Sequence, residues 1–318
     1  MASILLRQAF ASDITKALMA ANNFLNHSKN DTQWVNDDKV NLPHAGTLPT
    51  VAKNRSTKGV AVKRTDAASQ YSLNELSTTP TWLQYSEELL VNYNKRQSVL
   101  EAHKDALIDG VADNVLHDWA AGGDSESTGK PTGIITTSTE YRPVQIEKVG
   151  SVAASGTRYR IAYADILNVI TALNRQNVPQ GGRYAVITAD MLADLMMLAE
   201  FKNSDYVERK PIVDAPVTFR WMGIDWYVRS KVNLFAKTTT AAGALAAAGA
   251  DTSAALCAGG VFWQKDFVRK AHGSTKVFLN VDDAELYGSK MSALVRYGAI
   301  GARTDCKGIV NLVETWKT

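Results

Sequence analysis

Apolar residues recur along this chain at two periods, and the changes of period divide it. In residues 4–25, Ile14, Leu18, Ala21 and Leu25 form a stripe at helical spacing. The stripe predicts one or two short amphipathic helices, with Ser12 or Asp13 capping the second. Helices this short are marginal alone, so the segment must dock on something. The strongest helical signal lies at 80–120, where Leu89, Tyr93, Leu100, Leu107, Val111 and Val115 share one side. Thr79-Pro80 or Tyr85-Ser86 supplies a start, Glu87 and Glu88 suit the first turn, and Gly122-Gly123 supplies a stop. Unbroken from 86 to 120, such a helix is roughly 50 Å long.

Between these two helical stretches the pattern changes. Only 16 of the 55 residues in 26–80 are hydrophobic, too few for a local core. Alternation in TLPTVAK (47–53) and VAVKR (60–64), around the polar tip NRSTKG, predicts a long hairpin arm. A lone two-stranded hairpin is barely stable in water. The expectation is therefore that residues 36–80 fold against a neighbouring copy rather than by themselves. Lys53, Arg55, Lys58, Lys63 and Arg64 make the arm basic. Glu87 and Glu88 on an adjacent copy are the candidate acidic face for it.

Downstream, YRPVQIEKV (141–149) reads as a strand and Ala162 to Gln176 as a helix burying Ile166, Val169, Ile170 and Leu173. RYAVIT (183–188) reads as a buried strand. ADMLADLMMLAEF (189–201) reads as a helix with Leu192, Leu195, Met196 and Leu198 inward. VTFRWMGIDWYVRS (217–230) reads as two strands about Met222-Gly223. In 241–260, Ala and Gly are 14 of 20 residues, which predicts a loop or weak helix. Segments 261–271, 276–281, 291–300 and 307–313 are strand-rich. Helices with mixed strands make the fold class α+β.

Composition narrows the function. The chain has 318 residues, is 45% hydrophobic, and carries a net charge of only +3. That allows a large core and gives no case for tight nucleic-acid binding by charge alone. Cys257 and Cys306 are the only cysteines, which excludes a disulfide framework and suits a reducing compartment. No apolar run approaches the ~20 residues of a membrane span, and MASILLRQAF lacks the features of a signal peptide.

The stretch GGDSESTGKPTG (122–133) imitates a phosphate-binding loop but fails its geometry. Five residues separate Gly123 from Gly129 where four are required, and Pro131 occupies the place of the Mg²⁺-binding hydroxyl. It also closes a helix rather than opening one, so its amides form no anion cradle. His103 and His117, fourteen residues apart on one helix, are too distant to share a metal. Asp109, Asp113 and Asp118 read as that helix's solvated side. No HExxH, GxSxG or GxGxxG pattern occurs. The sequence thus names no catalytic residue, no metal site and no cofactor.

The order of elements nevertheless resembles one family. NVPQGGRYAVITADMLADLM (177–196), VFWQKDFVRKA (261–271) and LYGSKMSALVRYGAIGARTDCKGIVNL (286–312) are similar to segments of tailed-bacteriophage major capsid proteins. These have the Hong Kong ninety-seven type fold, which encapsulin shells share. The resemblance implies an N-arm (1–35), an extended E-loop (36–80) and a P domain with its spine helix (81–160). It further implies an A domain (161–260) carrying the Ala/Gly loop, and C-terminal strands (261–318) returning to the P domain. It implies a structural, non-enzymatic subunit of a virion capsid, assembled in the host bacterial cytoplasm. Copies would form pentamers and hexamers enclosing double-stranded DNA, which the inner surface contacts weakly. It leaves room for scaffolding, portal and decoration proteins as partners, and none for a membrane. Three alternatives stay open: an encapsulin-like shell, a soluble oligomeric enzyme with a site in 161–201, and a nucleic-acid-binding module using the arm.

Overall fold

The computed structural model describes residues 2–44, 51, 53–56, 58–61, 63–64, 67–84, 95–121, 134–136, 140–148, 151–202, 219–236, 244–250, 256–283, 287–303 and 306–314. The P-loop-like stretch at 122–133 therefore lies outside them, as do Glu87 and Glu88.

The first helix, α1 (Ala2–Ala21), is one element rather than two, and Ser12 and Asp13 sit inside it instead of capping a second. A 3-10 turn, Asn23–Asn26, follows. Short strands β1 (Lys29–Asn30) and β2 (Val35–Asn36) lead to β3 (Lys39–His44) and β4 (Ala67–Ser72). Next come β5 (Asn74–Ser77) and β6 (Thr81–Gln84), then the long helix α2 (Lys95–Ala121). Of the two predicted starts of that helix, Pro80 is thus wrong, and Tyr85-Ser86 lies outside the described residues. Residues 81–84 pair as an edge strand with β16 (Gly288–Gly301), and that pairing overrides the local helical pattern.

The remaining strands are β7 (Ile134–Thr136), the paired β8 (Glu140–Lys148) and β9 (Ser151–Arg160), and β10 (Arg183–Thr188). They continue as β11 (Phe219–Trp221), β12 (Ile224–Arg229), β13 (Asn233–Ala236), β14 (Leu256–Gln264), β15 (Val268–Asp283) and β17 (Ile309–Val313). Three further helices are α3 (Tyr163–Arg175), α4 (Ala189–Met197) and α5 (Ala199–Lys202).

Two sheets carry the core. One runs β11-β12-β10-β14-β17-β7, with β13 also on β14. Its strands are hydrophobic without alternation because both faces are covered. Ala185, Ile187, Phe262, Val310 and Leu312 face α3 and α4, beside Ile166, Val169, Leu173, Met191 and Leu195. Val186, Val261, Trp263 and Ile309 face the opposite way, toward α1 and α2. Met191, not the predicted Met196, is the buried methionine of α4, and Met196 is exposed. The helix also ends before Leu198, so 189–201 is not one continuous helix.

The other sheet runs β1-β15-β16-β5, with β6 also on β16. α2 lies between the two sheets, presenting Leu107, Val111, Val115, Leu116 and Trp119 to the shared cluster. Trp119 is fully buried, and its Nε1 donates to the Arg269 carbonyl at 3.0 Å. The polar side of α2 is not simply solvated, as the sequence suggested. Asp113 pairs with Arg229 Nη1 at 3.0 Å, and of Asp109, Asp113 and Asp118 only Asp109 is widely exposed.

The Ala/Gly tract departs most from expectation. Residues 256–260 are no loop or weak helix but the first half of β14, at the middle of the larger sheet. A boundary drawn at 260 therefore cuts a continuous strand. The C-terminal strands also part company: β15 and β16 build the smaller sheet, while β17 lies in the larger one.

Gly110 sits inside α2, and a Cβ there meets nothing within 4 Å. Replacing it with Ala removes glycine's unfolded-state freedom at no steric cost. Gly110→Ala is expected to raise unfolding free energy by about 1 kcal/mol. An unchanged or lower midpoint in a denaturant melt would refute this.

Three histidines, His27, His103 and His272, sit where burial disfavours the charged form and lowers their pKa. Buried Lys270, itself lowered to about 8 by burial, pushes His27 and His272 down further. His27 stacks on Tyr184 at 4.0 Å, and His103 Nε2 has no hydrogen-bond partner among the described residues. Each folded-state pKa lies below the unfolded value near 6.5. The unfolded chain then binds more protons, so stability is full above that pH and falls as acid is added below it. His103→Gln with His272→Gln should flatten the slope of melting temperature against pH below 6.5. A slope identical to the parent's would rule this out.

Candidate subunit interface

The arm begins in the turn Asn36-Asp37-Asp38-Lys39. Asp37 and Asp38 have φ of 51° and 60°, as the two central residues of a type I′ hairpin turn require. Aspartate tolerates that left-handed backbone better than most residues. The turn joins β2 to β3, and β3 pairs with β4 from Lys39↔Ser72 to His44↔Ala67.

The arm's observed strands are thus β3 and β4, while 47–50, 52 and 62 of the predicted strands lie outside the described residues. Among the described residues of 51–64 there is no strand at all. The pairing lies nearer the body because burial decides it. Val40, Leu42, Tyr71 and Leu73 form a core cluster with Ala271 of β15 and Ile300 of β16. This corrects the expectation that the whole strip 36–80 lacks a core of its own: its inner half folds on its own chain.

Two ionic clamps fix that root. The Arg296 guanidinium, on β16, holds the Asp38 carboxylate and also donates to Glu75 Oε2 at 3.1 Å. These hydrogen bonds raise its pKa above the usual guanidinium range. Leu73 N donates to the Asp38 carbonyl at 2.8 Å. In the second clamp, buried Asp31 accepts from Arg269 Nη1 at 2.9 Å and from the Tyr71 hydroxyl at 3.2 Å. Burial, then the Asp31 charge, drives the Tyr71 pKa far above the phenol range, so it remains a donor. Gly273 permits the close approach, since a Cβ there would lie 2.8 Å from Leu73 Cδ2 and 2.9 Å from Arg296 Cβ.

Beyond this root the described residues of 51–64 are all exposed. Lys53, Arg55, Lys58, Lys63 and Arg64 are all exposed. Arg55 folds across Gly59 at the tip. No Asp or Glu occurs between Lys39 and Asp66. Val51 is 99% exposed and Val60 89%. The structure thus leaves all five basic candidates exposed, and Glu87 and Glu88 lie outside the described residues.

Sequence reading missed Arg296, Asp38, Glu75, Asp31, Arg269 and Tyr71. The paired aspartates before a strand were the one local signal, since Asp-rich dipeptides mark such turns. Among the described residues no His, Cys, Asp or Glu group could hold a metal, and no helix is long and apolar enough to cross a membrane.

Comparison with known proteins now bears on this geometry. A family described as phage capsid protein matches residues 8–310. The chain belongs to the phage capsid protein family. It is a structural subunit of a virion capsid.

Solved structures carry the same fold at low identity. A structure from Mycobacterium phage Che8 shares 14% identity, covers 91% of this chain and 90% of its own, and has a TM-score of 0.59. The capsid of Ralstonia phage GP4 shares 12% identity over 92% and 88%, with a TM-score of 0.59. A virus-like particle from Pyrococcus furiosus shares 10% over 96% and 99%, with a TM-score of 0.54. A comparison with curated proteins finds no match. The fold of this capsid protein is thus the mixed α+β, Hong Kong ninety-seven type expected from the order of its elements.

Proposed function

We propose that copies of this capsid protein assemble into pentamers and hexamers that close an icosahedral shell around double-stranded DNA in the host bacterial cytoplasm. It does so without catalysing a reaction. The arm of each copy lies over its neighbour, and the observation that supports this is a rigid root bearing a bare tip. Two clamps and a small core hold residues 36–44 and 67–77 to their own chain. The described residues of 51–64 are all exposed, among them Val51, Val60 and the cations Lys53, Arg55, Lys58 and Lys63. We place Glu87 and Glu88 of the neighbour opposite those cations. Exposed pairs contribute only ~0–1 kcal/mol each, so they set register more than strength. In this reading 1–35 is the N-arm, 36–80 the E-loop, and α2 the spine of a P domain, with the α3–α4 region forming the A domain.

The test is expression alone and with neighbouring genes, followed by negative-stain microscopy. Closed shells of uniform size are expected. The double variant Arg55→Glu with Lys58→Glu should lower shell yield and change its dependence on salt. Small discrete oligomers in place of shells would overturn the assembly reading. Unchanged yield and salt response in the variant would overturn the assigned role of the tip alone.

A further inference from the structure

α1 and α2 touch along Ile14, Leu18, Leu107, Ile108 and Val111, and Asn22 Nδ2 donates to the Ile108 carbonyl at 2.8 Å. Toward the start of α2 the space between them opens into a cleft of about 510 Å³. Phe10 and Ile14 of α1 and Leu100 of α2 give it an apolar floor.

The charges around this cleft are not equivalent. Asp13 and Glu101 are exposed, and Glu101 already accepts from Gln97 at 3.3 Å. Arg96 and Lys104 are half-buried. They flank Leu100 along one edge of α2, eight residues or about 12 Å apart. Neither forms an ion pair among the described residues, and Arg96 Nε is shielded from solvent with no hydrogen-bond partner. An unpaired buried donor is a standing cost that an incoming oxygen relieves. The deeper charges are thus both positive, two helical turns apart, with an apolar floor between them.

We infer that this cleft docks an acidic amphipathic helix of a different protein. Its leucine-type side chains fill the floor over Leu100, and carboxylates one heptad apart meet Arg96 and Lys104. A charge-assisted pair with the Arg96 guanidinium supplies orientation, and the floor supplies most of the affinity. The site is distinct from the arm and does not depend on how copies assemble.

The test uses the full-length protein and a fluorescent helical peptide with Glu at i and i+7 and Leu at i+3 and i+4. Anisotropy should show saturable binding. The double variant Arg96→Gln with Lys104→Gln removes only unpaired charges, so it should melt as the parent does and bind about tenfold more weakly. The peptide with Gln in place of Glu should lose a similar factor on the parent protein. Absence of saturable binding would overturn the proposal, as would equal affinity for the variant. Binding of dodecanoate in preference to the peptide would also overturn it, by making this a lipid-carboxylate pocket. Shell formation, followed separately by microscopy, does not hinge on any of these outcomes.

Discussion

Deleting residues 51–64 and bridging the gap with a short Gly-Ser linker is expected to leave a folded subunit that fails to build shells. The anchors of the arm all lie outside the deleted stretch: Val40, Leu42, Tyr71, Leu73 and the Arg296 and Asp31 clamps. Unfolding free energy should therefore stay within about 1 kcal/mol of the parent. Under the proposed assembly, what goes is the contact that exposed Val51 and Val60 and the basic residues beside them make with a neighbouring copy. A shell repeats that loss at every contact between copies, so yield should fall by about tenfold or more. Light scattering and microscopy read the yield, and a denaturant melt reads the fold. Parental shells from the deleted protein would show that assembly does not use this tip.

The second large effect lies in β14. Gly259 is opposite Asn233 on one side and Val313 on the other. A Cβ at 259 would overlap the Phe235 ring and stand 3.2 Å from Val313 Cγ2. Phe235 has nowhere to retreat, being fully buried with Cys257 and Val313. Gly259→Val should thus destabilise the protein by about 3 kcal/mol, at the upper end for overpacking. Phe235→Leu alone also destabilises, by opening a space. Combined, the two should partly cancel, with a coupling of about 1 kcal/mol or more. Denaturant melts of the four proteins decide it, and strictly additive effects would refute the account.

These glycines also show why some of the fold was hard to read. RYAVIT and the turn at Met222-Gly223 were legible because apolar runs and turn residues act locally. The Ala/Gly tract was not, because its small residues answer to distant partners. Gly259 makes room for Phe235, and Gly260 for Ile187 and Met191. The same holds for the arm. AASQYS has little strand character by itself, yet it pairs along β3 because Tyr71 reaches Ala271 and Ile300. Local alternation pointed instead to 47–53 and 60–64, whose described residues form no strand.

The candidate interface divides in the same way. The basic residues of the tip were visible as a cluster within twelve positions. The root was not, since Arg296 stands 258 residues from Asp38 and Arg269 stands 238 from Asp31. Neither arginine differs in its surroundings from many others until the sheet brings its carboxylate beside it.

The placement of β17 has a consequence for biosynthesis. Residues 309–313 do not sit at a margin: they lie between β14 and β7, antiparallel to one and parallel to the other. A nascent chain thus holds an open slot in its larger sheet until almost everything described here has left the ribosome. Prematurely terminated products would lack that strand and expose Val261 and Phe262 along the unfilled edge. Under the proposed assembly, a chain that stops early then lacks the complete body that a neighbour's arm would cover.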